Sequence, residues 1–299
     1  MNELQYLING ELVPASAATV SVRDRGFMYG DAAFETLRVY GGTPFEWDRH
    51  IDRLTQSCER LGFGDSVPSR DTLREQITRM LTANDLQEAY VKLSVTRGEQ
   101  PGKLTPKRDV EPTVVAICSP LSRGGLAGTR VWDEPATISI VETTQPPASA
   151  LPPGAKTHNY LTGILARLEL RGSDVDEAML LSTEGYLTEG ATSNLFFVHD
   201  GVLSTPTTSL PLLPGITRKV VLELAEELDI PAETGRYTPE SLVDADEVFL
   251  TNSTWEIRPV TRFADDASRQ YEREYEVGTV TRRLQRAFDE RVETLYKDA

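Results

Sequence analysis

Short apolar segments recur along the chain, and their periods separate strand from helix. Residues 4–8 run into Asn9-Gly10 and resume at 11–13, which predicts two short strands joined by a tight turn. Residues 33–40 predict a third strand, closed by Gly41-Gly42. Between 50 and 61, Ile51, Leu54, Cys58 and Leu61 share one helical stripe, and a second amphipathic helix covers 70–84. Residues 90–96 and 113–118 alternate or run apolar, as strands do.

After residue 119, Pro120 and three glycines mark 120–128 as a linker, so a small α+β domain over 1–119 and a larger one over 129–299 are expected. The second set of elements begins at 137–143. Pro146, Pro147, Pro152 and Pro153 then keep the approach to Lys156 out of helix. Tyr160, Ile164, Leu165 and Leu168 recur at helical spacing. Strands are expected at 177–181, 194–199 and 202–204, the last two joined by a turn at Asp200-Gly201. Pro214-Gly215-Ile216-Thr217 leads into a helix over 218–228, a loop that delivers a helix N-terminus suited to an anion. A strand at 247–251 and a closing helix over 279–295 complete the pattern, which contains no internal repeat.

Composition narrows the function classes. With 39% apolar and 26% charged residues in 299, this is an ordinary globular chain long enough for two cores. Its 31 basic and 46 acidic residues leave a net charge of -15, which argues against nucleic acid and anionic membrane surfaces as partners. Only six residues are lysine, and an acid-rich, lysine-poor surface suits concentrated salt, though an acidic protein of ordinary habitat has the same composition. Two cysteines, Cys58 and Cys118, make no disulfide framework. Neither a signal peptide nor a run of the ~20 apolar residues of a membrane helix is found, so a cytoplasmic location is expected.

His50, His158 and His199 are too scattered to argue a metal site, and neither a nucleophile elbow nor a P-loop occurs. An organic cofactor, or no catalysis, is what remains. Lys156 stands at a loop-to-helix junction in a chain that otherwise avoids lysine. A pocketed lysine near other cations offers a free amine to a carbonyl, but read alone Lys156 is by default a solvated surface residue. Glu189 among small polar residues, Thr217 after a Pro-Gly turn and the polar loop 251–254 add an acid and two anion-binding loops. These are the parts needed for pyridoxal phosphate.

Taken together, the motifs resemble the class IV, fold-type IV pyridoxal-phosphate enzymes: branched-chain and D-amino-acid aminotransferases, (R)-amine transaminases and 4-amino-4-deoxychorismate lyase. They are Lys156-x-x-Asn159-Tyr160, Glu189-Gly190-Ala191-x-x-Asn194-Leu195-Phe196, Leu213-Pro214-Gly215-Ile216-Thr217-Arg218 and Glu256-Ile257-x-Pro259-Val260. The N-terminal half adds residues 24–31, Phe34-Glu35-Thr36-Leu37-Arg38 and His50-x-x-Arg53-Leu54. The resemblance implies an α+β fold with a small N-terminal domain, a larger pseudo-barrel α/β domain, pyridoxal 5′-phosphate between them, and a homodimer. It implies that Lys156 forms the Schiff base and shuttles the proton of the 1,3-prototropic shift, and that Glu189 holds the protonated pyridine nitrogen. By the same resemblance Arg53, Thr217, the Ile216 backbone and Ser253 take the phosphate, Tyr160 reaches the ring oxygen and Leu213 packs on the ring. Tyr29, Phe34, Thr36, Arg38, Lys92, Arg97, Asn252 and Thr254 fall at its substrate pocket.

The reaction expected from this resemblance is amino transfer between an amino acid, branched-chain or L-glutamate, and a 2-oxo acid. Tyr29-Gly30 and residues 255–260 look like the aminotransferases, although Thr36 replaces a glycine and Lys92 an arginine of the branched-chain pattern. Residues 94–98 and 251–253 look like the lyase, the first alternative, in which Asn252 contacts the substrate carboxylate. A D-amino-acid or (R)-amine transaminase is the second, with an unusual carboxylate site, because 96–103 lacks the Arg-x-His pair.

Overall fold

The computed structural model describes residues 3–100, 104–106, 111–121, 134–152, 154–265 and 271–297. The chain divides into two compact units, the first formed by Met1–Ser122, Ala155–Asn159 and Thr294–Ala299, the second by Arg123–Gly154 and Tyr160–Glu293. From residue 122 onward the expected linker lies outside the described residues.

In the first unit, β1 (Gln5–Ile8) and β2 (Glu11–Pro14) form the expected hairpin, with Asn9 and Gly10 both at positive φ. A five-residue helix, α1 (Arg25–Tyr29), is capped by the Asp24 carboxylate and stopped by Gly30 in the left-handed region. Then come β3 (Ala32–Tyr40), β4 (Thr43–Pro44), α2 (Trp47–Arg60), α3 (Arg70–Ala83), β5 (Ala89–Thr96) and β6 (Thr113–Pro120). The strands make one antiparallel sheet in the order β2-β1-β6-β5-β3-β4. Ile51, Leu54 and Cys58 of α2 and Leu73, Ile77 and Met80 of α3 pack on its Leu37, Val39, Val91 and Leu93 face. Strand period 2 puts Glu35 on that helix-covered face. It turns Phe34, Thr36 and Arg38, with their cross-strand partners Ser94, Lys92 and Tyr90, to the other.

The second unit holds β7 (Ala136–Ile140), α4 (Leu161–Glu169), β8 (Glu177–Leu181), β9 (Leu187–Gly190), β10 (Asn194–His199), β11 (Val202–Pro206), α5 (Ile216–Glu227), β12 (Ala232–Gly235), α6 (Glu240–Val243), β13 (Glu247–Asn252), β14 (Glu256–Asp265), β15 (Glu272–Glu274) and α7 (Thr279–Lys297). Because β9 pairs with both β8 and β10, the path β10-β13-β14-β7-β8-β9 closes on itself. The expected α+β class and pseudo-barrel are both present. Ile138, Met179, Leu187, Leu195, Phe197 and Leu250 share its core. On α4 the helical stripe is real, but Leu161, Ile164, Leu165 and Leu168 are exposed and only Ala166 is buried.

Candidate active site

Lys156 sits on a short chain segment laid beside the open part of β3. Thr157 bridges Ala33, Phe34 N–H donates to the Lys156 carbonyl at 2.9 Å and His158 N–H to the Ala32 carbonyl at 3.0 Å. A second tether comes from α2: Lys156 N–H donates to Ser57 Oγ at 3.1 Å, while that hydroxyl donates to the Arg53 carbonyl at 2.7 Å. The Lys156 amine lies 4.7 Å from the Phe34 ring centroid and the Lys92 amine 4.5 Å from the same centroid. His158 meets Phe34 edge-on at 5.4 Å and reaches Ser94 Oγ at 3.2 Å. Burial, then the Lys92 charge, pushes His158 down to about 4, so its ring is neutral near pH 7. Burial, then the Lys156 charge, lowers Lys92 from the ordinary lysine range.

Arg53 projects from α2 onto Glu35 of β3, with Nε on Oε1 and Nη2 on Oε2, both at 2.7 Å. His50, one turn earlier, places Nδ1 2.7 Å from Glu35 Oε2. Burial alone raises the Glu35 carboxyl, but Arg53 and then His50 outweigh it and bring it down to about 2. Burial holds His50 below the usual histidine range. A neutral imidazole facing an ionised carboxylate must donate its Nδ1–H. Glu35, His50 and Ser57 are thus the residues that fix Arg53 and Lys156. Sequence reasoning assigned them no role, although Glu35 and His50 lie inside the motifs it singled out.

Other expected pocket residues of this unit are engaged elsewhere. Arg38 donates to Glu88 at 2.7 Å and to the Leu121 carbonyl, and lies over the Tyr40 ring. Arg97 grips Asp31 through Nε at 2.7 Å and Nη2 at 3.1 Å, donates to the Leu61 carbonyl and stacks on Phe63. Both are buried, where an arginine needs a carboxylate and carbonyls around it. These contacts anchor both arginines within the first unit. Thr36 shares the sheet face of Phe34 and Lys92, whereas Tyr29 is exposed under the Arg25 guanidinium.

In the second unit a register slip aims the key acid. Leu180 pairs with Glu189 but Leu181 pairs with Leu187, so Thr188 is bulged out, and its hydroxyl donates to the Leu180 carbonyl at 2.6 Å. A bulge reverses the facing of the residues beyond it. Leu187 therefore enters the core while Glu189 turns to Gln145 Nε2 (2.9 Å), Asn194 Nδ2 (3.3 Å) and Leu213 N–H (3.1 Å). The Asn194 amide also donates to the Leu213 carbonyl at 2.9 Å, so one side chain ties Glu189 to the residue before Pro214. Ile216 and Thr217 open α5, whose cap residue Gly215 supplies no side-chain acceptor. Tyr160 caps the start of α4.

The loop after β13 is shaped by Asn252. Its Oδ1 accepts from Thr254 N–H (2.9 Å), Thr254 Oγ1 (3.0 Å) and Trp255 N–H (2.7 Å), and its Nδ2 donates to the Thr192 carbonyl (3.3 Å). Both ends of the amide are bonded within the protein. Asn252 and Thr254 build the loop that carries Ser253, and Asn252 also ties that loop to the Thr192 carbonyl.

Comparison with known proteins decides the family. The family described as amino-transferase class IV matches residues 32–263. The chain belongs to it. A putative branched-chain-amino-acid aminotransferase of Methanocaldococcus jannaschii is 35% identical over 285 residues, 95% of this chain and 95% of that one. The aminodeoxychorismate lyase of Bacillus subtilis is 31% identical over 260 residues, 86% of each. A crystal structure of the branched-chain aminotransferase of Thermoproteus uzoniensis with norvaline aligns with a TM-score of 0.87 at 27% identity, over 99% of this chain and 97% of that one.

Class IV aminotransferases depend on pyridoxal 5′-phosphate, and the donor set here fits that group. The start of α5 offers uncapped backbone N–H groups to a phosphate. Thr251 Oγ1 is buried with no partner among the described residues, cross-strand from Asn194. A Cβ at Gly215 would come within 2.0 Å of Asn194 Oδ1, so only glycine fits that turn.

Proposed function

We propose that this class IV aminotransferase moves an amino group between an L-amino acid, branched-chain or glutamate, and a 2-oxo acid. The observation that carries this reading over the lyase is the likeness over nearly the whole chain to proteins named branched-chain aminotransferases, 35% identical for the Methanocaldococcus jannaschii protein and with a TM-score of 0.87 for the Thermoproteus uzoniensis structure. Residues 96–103, which lack the Arg-x-His pair, speak against a D-amino acid.

When bound, pyridoxal phosphate supplies an electrophilic carbonyl and an electron-withdrawing ring. In this reading the Lys156 amine takes the proton from the substrate Cα and returns it one position along. Glu189, oriented by three donors, keeps a proton on the ring nitrogen. Arg53, the Thr217 hydroxyl, the Ile216 N–H and Ser253 hold the phosphate. Leu213 lies on the ring and Tyr160 reaches its oxygen. Phe34, Thr36 and Lys92, which share one sheet face, meet the substrate, with Lys92 as the cation for a carboxylate.

The exposed apolar stripe of α4 supports assembly as a homodimer, and among the described residues no helix is long and apolar enough to cross a membrane. Mixing the holoenzyme with L-glutamate and no acceptor tests the reaction. Conversion of the cofactor spectrum to the pyridoxamine form is expected. An unchanged spectrum together with pyruvate release from aminodeoxychorismate would establish the lyase instead.

A further inference from the structure

A carboxylate lies under the two loops of the second unit and takes no part in the reaction described above. Glu177, the first residue of β8, is 0% exposed. Its Oε2 accepts from Thr192 Oγ1 at 2.7 Å and Ser193 Oγ at 3.2 Å. Its Oε1 accepts from Ala178 N–H at 3.1 Å and lies 3.5 Å from Arg167 Nη1. Burial pushes its pKa up, against the pull of these donors. An apolar side chain would fill the position without that cost.

The turn it grips runs from Gly190 to Ser193. Gly190 N–H donates to the Ser193 carbonyl at 2.7 Å, and Ala191 N–H to the Ala178 carbonyl at 2.9 Å. A Cβ at Gly190 would lie 2.8 Å from Glu177 Cγ and 2.5 Å from Ser193 Oγ, so turn and carboxylate fill the same space. Glu189 immediately precedes this turn and Asn194, which bonds Glu189, immediately follows it. The Thr192 carbonyl in the turn accepts from Asn252, the organiser of the Ser253 loop.

We propose that Glu177 is a positioning residue: by holding Thr192 and Ser193 it sets the Glu189 carboxylate and, through Asn252, the Ser253 loop. The inference rests on the reading of Glu189 as the partner of the cofactor nitrogen. A single buried carboxyl group then serves both ends of the cofactor, which explains why the barrel keeps a polar side chain where packing needs none.

The test is the 15N resonance of ring-labelled pyridoxal phosphate in the holoenzyme, read with a cofactor titration of the apo-protein. Glu189→Gln is the reference and must move the resonance toward the unprotonated position. Glu177→Leu is expected to move it in the same direction and to weaken cofactor binding about tenfold, the loss of one bond to a charged group. Thr192→Val should move it less, and Glu177→Gln, which keeps shape and one oxygen, should restore most of the wild-type signal. Thr192 is exposed, so if Glu177→Leu does not fold, Thr192→Val and Glu177→Gln carry the test. A wild-type resonance and titration in Glu177→Leu and Thr192→Val, or in Thr192→Val where Glu177→Leu does not fold, with Glu189→Gln shifted, overturns the inference alone. An unmoved resonance in Glu189→Gln overturns the reading of Glu189, and the inference falls with it.

Discussion

Glu35 and Arg53 face each other through two parallel bonds of 2.7 Å, one from β3 and one from the first half of α2, and Glu35 is wholly buried. The pair fixes the guanidinium before any phosphate arrives. Arg53→Ala should weaken cofactor binding by about 1.5–3 kcal/mol through the lost charged bond. Stability should fall as well, because an uncompensated buried carboxylate costs about 3–5 kcal/mol. Cofactor titration and urea unfolding of the apo-protein measure the two losses separately, and an unchanged titration removes Arg53 from the phosphate site.

Three buried groups make stability depend on acid: His158, Glu35 and His50, which burial holds below the usual histidine range. His158 has a folded pKa of about 4 against an ordinary 6.5, so the unfolded chain binds more protons between those values. Its contribution is therefore complete above pH 6.5 and lost as the pH falls toward 4. Glu35, lowered from 4.5 to about 2, contributes above 4.5 and loses that contribution below it. Urea unfolding between pH 7 and 4 should show a falling midpoint that flattens in His158→Gln. A wild-type slope in that variant would show that another group carries the effect.

Glu189→Gln should cut turnover while leaving the melting temperature close to wild type. The amide keeps one acceptor for Gln145 or Leu213 but no longer holds a charge against the ring nitrogen. Equal turnover in the two proteins would exclude the role given to Glu189.

At a net charge of -15 the folded chain repels itself, and salt screens that repulsion. Adaptation to concentrated salt predicts a higher melting temperature in molar KCl than in dilute buffer. Equal or greater stability in dilute buffer would mark the acidic surface as incidental.

Elements with an uninterrupted period could be read from the chain. Asn9-Gly10 and Asp200-Gly201 both place φ in the positive range that their turns need, and the α2 stripe buries Ile51, Leu54 and Cys58 as its spacing predicts. What escaped was short or irregular. With five residues, α1 is too brief for any period. The sequence pattern does not predict β14 either, a strand that tolerates Pro259 because pairing with β7 starts only at Val260. The bulge at Thr188 is invisible without its partner strand, although it alone aims Glu189. The partners of Arg38 and Arg97 escaped for a similar reason: Glu88 and Asp31 lie 50 and 66 residues away. The motifs of the resemblance brought Lys156, Arg53 and Glu189 to notice, but Glu35, Ser57 and Gln145, which help to hold them, act across 18, 99 and 44 residues, where no local pattern encodes a contact.

Lys92 and Lys156 both reach the Phe34 ring, so the central claim is a choice between two amines. Borohydride reduction of the holoenzyme followed by peptide mass spectrometry makes that choice directly. A pyridoxyl label is expected on the peptide carrying Lys156 and is lost in Lys156→Ala. A label on Lys92, or a wild-type label in Lys156→Ala, would contradict it.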